Sequence, residues 1–168
     1  VYRAMDKLGS AGVSAIAAEA KVDERYLKEW LASNAARGYV SYDAEADKFS
    51  LTPEQASVFA RESEPTCIQG LIQGVVGQFV KEDVAIDVFK TGRGRPWGEH
   101  HECCFCGTER FFRPAYAGHL LDEWIPALDG VEDKLKLGAK VADIGCGLGT
   151  SSILMAEQFP NSTIHAFD

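Results

Sequence analysis

A glycine-rich segment near the end of the chain constrains the fold more than any other feature. Residues 140–144 have the pattern of a short strand, and glycines follow at alternate positions. The three are Gly145, Gly147 and Gly149. A helical pattern then covers residues 151–159, and a second strand-like run, residues 163–167, ends at Asp168. Strand, glycine turn, helix and strand predict a βαβ unit with two parallel strands.

The glycines and the neighbouring acids indicate what this unit binds. Glycine has no Cβ, so the backbone can turn sharply and approach a ligand closely. Asp168 lies close to the ~20-residue spacing at which a carboxylate accepts hydrogen bonds from ribose hydroxyls. The third glycine comes one residue earlier than in the dinucleotide fingerprint G-x-G-x-x-G, and the charge of Asp143 would repel a pyrophosphate. S-adenosylmethionine, with an ammonium group and no phosphate, fits better, although glycines after a strand can also serve only a tight turn.

The first sixty residues predict a winged helix-turn-helix. Helical patterns cover residues 1–8 and 15–20, with Ser14 as the expected cap of the second, and Asp23 is expected to cap a third helix that ends at Gly38. Two strand-like runs, 39–42 and 48–51, and a helix opened by Thr52-Pro53 follow. Three helices followed by a two-stranded ribbon are typical of the winged variant of this fold.

Charge argues against DNA binding by this domain. The 168-residue chain carries 17 basic and 25 acidic residues, a net charge of -8, whereas nucleic-acid affinity depends on neutralising phosphates. Charges in the presumptive recognition helix, residues 23–37, cancel, and the ribbon carries Asp43, Glu45 and Asp47 with only Lys48. A packing or dimerisation role is therefore favoured over DNA recognition.

Residues 66–128 are predicted to form a helical connector. Its first helix has apolar residues at helical spacing, which predicts one buried face. They are Ile68, Leu71, Ile72, Val75, Val76, Phe79 and Val80. Gly70, Gly74 and Gly77 form an adjacent strip suited either to a dimer seam or to close packing within the chain. A short helix over 84–89, a loop over 91–96 and a helix over 109–128 are expected to follow.

A histidine- and cysteine-rich segment, residues 100–106, has several possible roles. Only Cys103 and Cys106 have the C-x2-C spacing of a structural zinc site, and no second pair occurs elsewhere, so we expect no metal. His100, His101 or Glu102 could act as a general base if the segment folds over the cofactor pocket. The alternative is a hydrogen-bonded structural loop.

The glycine segment carries a family resemblance. Residues 141–149 resemble motif I of the class I S-adenosylmethionine-dependent methyltransferases, and Asp168 resembles the acid that ends their second strand. The whole chain, including residues 98–101 and 107–114 of the connector, resembles bacterial-type methyltransferases with an N-terminal winged helix. In such families this domain usually forms a dimer interface and helps to roof the active site. The resemblance implies that the ribose ligand is Asp168 and that the cofactor loop comprises Asp143, Gly145, Cys146, Gly147 and Gly149.

The expected architecture is mainly α plus α/β, in three parts. Residues 1–60 form the winged helix, 61–137 the helical connector, and 138–168 the start of a truncated Rossmann-like methyltransferase domain. Because the chain begins inside a helical pattern and stops after a strand, we expect an N-terminal fragment that is inactive alone.

The expected function is methyl transfer from S-adenosylmethionine to a small-molecule acceptor. The alternative is a winged-helix transcriptional regulator with a ligand-sensing domain. We expect a cytoplasmic protein with no membrane association, because the cysteines do not resemble a secreted disulfide framework and no apolar run approaches the ~20 residues of a membrane span. A homodimer through the winged helix and the connector helices is a further expectation.

Overall fold

The computed structural model describes all 168 residues and contains two compact units, Val1–Cys67 and Ile68–Asp168. The first unit is a winged helix-turn-helix, as predicted. Its helices are α1 (Tyr2–Leu8), α2 (Val13–Ala20), α3 (Glu24–Ala36) and α4 (Pro53–Phe59). Strands β1 (Ser41–Asp43) and β2 (Lys48–Ser50) pair antiparallel to form the wing. Met5, Ile16 and Leu31 are the largest fully buried side chains of this unit.

Capping residues determine two helix starts in this unit, and both predictions are confirmed. The Asp23 carboxylate accepts a hydrogen bond from the Tyr26 amide at 3.1 Å at the start of α3. At α4 the Gln55 amide donates to the Thr52 hydroxyl at 3.2 Å, and the Thr52 amide donates back to the Gln55 side chain at 2.8 Å. This reciprocal pair is a capping box, which satisfies two backbone donors that the helix leaves free.

Two local predictions in this unit are wrong. Helix α2 begins at Val13 after Gly12, and the Ser14 hydroxyl donates instead to the Glu24 carboxylate at 2.6 Å, so Ser14 does not cap the helix. Strand β1 begins at Ser41 rather than at residue 39. The preceding chain closes the end of α3: Gly38 adopts a left-handed φ of 76°, and the Tyr39 amide still donates to a helix carbonyl.

The second unit contains the remaining elements. Its helices are α5 (Gln69–Val80), α6 (Glu82–Thr91), α7 (Glu102–Ala115), α8 (Val131–Leu137) and α9 (Thr150–Gln158). A 3₁₀ turn covers Trp97–Glu99, and a π-helix covers Tyr116–Trp124. Strands β3 (Lys140–Ile144) and β4 (Thr163–Phe167) pair parallel, with Lys140 opposite Thr163 and Ile144 opposite Phe167. With α9 as the crossover, they confirm the βαβ unit.

Glycines bring α5 and α7 into backbone contact. A Cβ added to Gly107 would lie 2.3 Å from the Gly74 nitrogen, and one added to Gly70 would lie 2.4 Å from the Phe111 nitrogen. One added to Gly77 would lie 2.8 Å from the Cys104 nitrogen. The glycine strip therefore packs closely within the chain, which is the second of its two expected uses. The homodimer stays a prediction.

The prediction that the apolar face of α5 is buried is wrong. Six apolar side chains of α5 are 45% to 73% exposed. They are Leu71, Ile72, Val75, Val76, Phe79 and Val80. The physical reason is that α5 contacts α7 through its glycine strip, so the adjacent apolar stripe points away from the contact. The core of the unit lies elsewhere, around Ile125, Leu135 and Phe159.

The predicted limits of α7 are also wrong. The helix starts at Glu102, seven residues before the predicted start, so the three cysteines of the 100–106 segment lie on a helix and not on a loop. Pro114 is near the end of α7, where it interrupts the regular hydrogen bonding because proline has no N–H. The chain continues as a π-helix, in which the Ile125 amide donates to the Leu120 carbonyl at 3.0 Å.

None of the helices combines the length and the apolar composition that a membrane-spanning helix needs.

Candidate functional site

The glycine loop between β3 and α9 has a conformation that side chains rarely adopt. Gly145, Gly147 and Gly149 have φ values of 75°, 56° and 82°. A Cβ on any of the three would meet no atom within 4 Å. The backbone conformation therefore requires the glycines, whereas packing does not. The space beside the loop remains open to a ligand.

Hydrogen bonds hold this loop against the end of β4. The amides of Gly145 and Cys146 donate to the Phe167 carbonyl at 2.8 and 3.1 Å. The Gly147 amide donates to Oδ2 of Asp168 at 2.7 Å. Asp168 thus fastens the middle of the loop through Oδ2, and the residue is otherwise exposed.

Asp143 contacts the start of α9. Its Oδ2 accepts hydrogen bonds from the hydroxyls of Ser151 and Ser152, both at 2.7 Å. Ser152 is buried, so this contact ties the end of β3 to the first turn of α9. The predicted cofactor residues are therefore brought together around one loop by β3, β4 and α9. Their assignment to the cofactor stays a prediction.

A further acid, Glu109, reaches the same turn from α7. The Thr150 hydroxyl donates to Oε1 of Glu109 at 3.2 Å, and Arg113 lies 3.4 Å from that oxygen. The Glu109 side chain is only 17% exposed. Sequence reasoning did not identify Glu109, because the contact joins residues 41 positions apart and no local motif marks it.

These contacts give the start of α9 an unusual electrostatic character. The N-terminus of a helix attracts anions through its free N–H groups and its dipole. Here the hydroxyls of Thr150, Ser151 and Ser152 all donate to protein carboxylates, so negative charge is already present. A pyrophosphate would be repelled at this position, whereas a ligand with a cationic portion would be attracted. The residues present therefore suit S-adenosylmethionine.

The predicted catalytic residues lie at the start of α7, whereas Glu109 lies near its middle. The His101 ring caps the helix, because its Nδ1 accepts a hydrogen bond from the Cys103 amide at 3.2 Å. Glu102 is exposed in the first turn, and Glu109 lies seven residues further along, about 10 Å at a rise of ~1.5 Å per residue. The structure does not bring His100, His101 or Glu102 to the glycine loop, and their catalytic role stays a prediction.

His100 is packed against other groups. Its ring centroid lies 5.2 Å from that of Trp97, and its Nδ1 lies 3.5 Å from the Gln78 amide nitrogen. Burial lowers the pKa of His100 below its ordinary value, and Arg95 adds to this effect while Glu99 opposes it. These surroundings therefore favour the neutral form of His100 over the protonated form.

The cysteines of α7 differ in their surroundings. Cys104 is buried, and its Sγ accepts a hydrogen bond from the Gln78 side chain at 3.3 Å, whereas Cys106 is exposed. No group of three or more His, Cys, Asp or Glu side chains is arranged to hold a metal ion.

Comparison with known proteins agrees with this architecture. Residues 1–61 match the model of the Rv2258c-like winged HTH domain. Among solved structures, PigF with S-adenosylhomocysteine matches with a TM-score of 0.60 and 16% identity, over 99% of this chain and 52% of that one. Human N-acetylserotonin methyltransferase in complex with S-adenosylmethionine also matches with a TM-score of 0.60 and 16% identity, over 99% of this chain and 52% of that one. A candidate O-methyltransferase from Nostoc punctiforme PCC 73102 matches with a TM-score of 0.64 and 17% identity, over 99% of this chain and 48% of that one.

No curated protein matches the sequence significantly. The chain spans about half the length of the solved structures that it matches. At these identities the likeness shows the fold. The chain therefore combines a winged helix-turn-helix domain, similar to the Rv2258c-like model over residues 1–61, with a helical region and a βαβ unit, and its fold is similar to that of about half of each of these solved structures.

Proposed function

We propose that this chain is the cofactor-binding part of an S-adenosylmethionine-dependent methyltransferase that acts on a small-molecule acceptor. The observation that carries the proposal is the open, left-handed glycine loop, with Asp168 bonded to its middle and two further acids, Asp143 and Glu109, bonded to the first turn of α9. The loop gives a ligand access to backbone, and the acids select a ligand with a cationic portion. Solved structures of the same fold hold S-adenosylmethionine or S-adenosylhomocysteine, which supports S-adenosylmethionine as the ligand of this loop.

Each loop residue has a distinct part in binding. The glycines at 145, 147 and 149 allow the methionine portion of the cofactor to lie against the backbone. One oxygen of Asp168 accepts a hydrogen bond from the Gly147 amide, and the other accepts a hydrogen bond from a ribose hydroxyl of the cofactor. Asp143 orients the first turn of α9 through its two serine hydrogen bonds.

When bound, the cofactor supplies an activated methyl group. The chain's own contribution is to hold and orient the cofactor so that acceptor and methyl are in contact with water excluded. Such a displacement needs no acid or base when the acceptor is already nucleophilic. For an acceptor that must lose a proton, His100, His101 and Glu102 remain the predicted candidates.

The free cysteines fit a reducing compartment such as the cytoplasm.

Calorimetry of the whole protein with S-adenosylhomocysteine tests the proposal. We expect Asp168→Ala to weaken binding about tenfold or more, because a hydrogen bond to a charged group contributes roughly 1.5–3 kcal/mol. Gly147→Val should abolish binding, because a β-branched residue is strained at a φ of 56° and its side chain enters the ligand space.

Gly118→Ala is a matched control. A Cβ there meets nothing within 4 Å, and its φ is not in the left-handed region. This variant should bind as the unmodified protein does. If S-adenosylhomocysteine does not bind, or binds equally well to all three variants, the proposed function is wrong.

A further inference from the structure

Glu109 is a mostly buried acid at the edge of the glycine loop. Helix α7 carries it to Thr150, whose hydroxyl donates to Oε1 at 3.2 Å. Thr150 directly follows Gly149, the last glycine of the loop. The carboxylate therefore lies beside the backbone that the methionine portion of the cofactor is proposed to contact.

The contacts of Glu109 with Thr150 and Arg113 both use the same carboxylate oxygen. Thr150 and Arg113 both approach Oε1, and Oε2 takes part in neither contact. Arg113 is 48% exposed and lies at 3.4 Å, so it is a solvent-screened partner on the same helix. A mostly buried carboxylate with one weak cationic partner favours a second cation strongly when one is presented.

Charge also selects which part of the cofactor this acid receives. The amino-acid portion carries an ammonium group and a carboxylate. Glu109 and Asp143 approach consecutive residues of α9 from two different elements, and both would repel the ligand's carboxylate. Of these two groups, the ammonium is therefore the one that Glu109 attracts.

We propose that Glu109 is a cofactor-binding residue whose carboxylate receives the ammonium group of the cofactor. This assignment rests on the proposed function and adds to it a residue from outside the glycine motif. It also gives the middle of α7 a part in the site, at a position three residues beyond Cys106, the last residue of the histidine and cysteine segment.

The test compares two probes by calorimetry of the whole protein. S-adenosylhomocysteine contains the amino-acid portion, and 5′-methylthioadenosine lacks it while keeping the adenosine and the sulfur. Glu109→Gln keeps the size of the side chain and removes its charge. We expect it to weaken the binding of S-adenosylhomocysteine about tenfold, which is about 1.4 kcal/mol. The affinity for 5′-methylthioadenosine should stay within twofold of that of the unmodified protein.

Three further variants distinguish a ligand contact from a structural role. Glu157→Gln, an equal charge change at an exposed position of α9, should alter neither affinity. Glu109→Asp keeps the charge and should give an intermediate affinity for S-adenosylhomocysteine. Arg113→Gln removes the competing guanidinium and should tighten S-adenosylhomocysteine about twofold, in line with the modest strength of an exposed ion pair. Arg113 is exposed, so this variant is expected to fold even if Glu109→Gln does not.

The outcomes separate the two proposals. If the unmodified protein binds neither probe, the proposed function is wrong and the role of Glu109 falls with it. If the unmodified protein binds both probes, three results would each show that only the role of Glu109 is wrong. Glu109→Gln could bind S-adenosylhomocysteine with unchanged affinity, or it could lose affinity for both probes equally. The third such result is an Arg113→Gln protein whose affinity for S-adenosylhomocysteine does not rise.

Discussion

Two glycines on opposite sides of the α5–α7 contact should respond to alanine in opposite directions. A Cβ on Gly107 would lie 2.3 Å from the Gly74 nitrogen and 2.7 Å from both the Gly70 oxygen and the Gly74 Cα. A Cβ on Gly74 would meet nothing within 4 Å. The two residues touch in the structure, yet only one has room for a methyl group.

The expected magnitudes follow from these distances. An ordinary contact needs about 3.4 Å, so Gly107→Ala forces the helices apart by about 1 Å. Overpacking costs about 1–3 kcal/mol, and the upper end applies because the opposing atoms are backbone that cannot rotate away. Alanine regains about 1 kcal/mol of helix propensity, which leaves a net loss of about 2 kcal/mol. Gly74→Ala keeps only the propensity gain and should stabilise by about 0.5–1 kcal/mol.

Urea unfolding followed by circular dichroism measures both effects. The reactivity of the buried Cys104 thiol with a disulfide reagent reports opening of the same contact, because Cys104 lies opposite Gly77. It should rise about 30-fold in Gly107→Ala, the factor that corresponds to ~2 kcal/mol. A Gly107→Ala protein as stable as the original, or a Gly74→Ala protein equally destabilised, would refute this reasoning.

Three other predictions concern single features. Thr52→Ala removes the hydroxyl of the α4 capping box and should cost about 1 kcal/mol in urea unfolding; an unchanged midpoint would show that the box contributes nothing. The pKa of His100 is lowered in the folded state, so as the pH falls His100 becomes protonated in the unfolded chain before it does in the folded protein. Stability should therefore fall as pH drops through about 6.5, the ordinary histidine pKa, and His100→Gln should flatten that dependence; an identical pH profile in the variant contradicts it. The acidic wing should give no retardation of duplex DNA in a gel at low salt, and a salt-sensitive shift would favour the regulator alternative.

The parts of the fold that depend on local chemistry could be predicted from the sequence. Asp23 and Thr52-Pro53 identify helix starts because their side chains or rings act on backbone groups within three residues. The glycine loop is similar, since three positive φ values at alternate positions require three glycines there.

Features that depend on long-range contacts could not be predicted in the same way. Helical spacing shows that α5 has an apolar stripe and a glycine strip, but it does not show which of the two meets α7. Likewise, nothing near Glu109 in the sequence indicates that Thr150 will lie beside it.

The sequence by itself determined the winged-helix order, the βαβ unit and the nature of the loop at its centre. Only the tertiary structure decided that the glycine strip of α5 is used within the chain and that α7 brings an acid to the loop. The physical reason is that caps, turns and periodicity act between residues a few positions apart. A contact between distant residues depends on how whole helices pack, and a close backbone approach such as that of Gly74 and Gly107 appears only when both helices are in place.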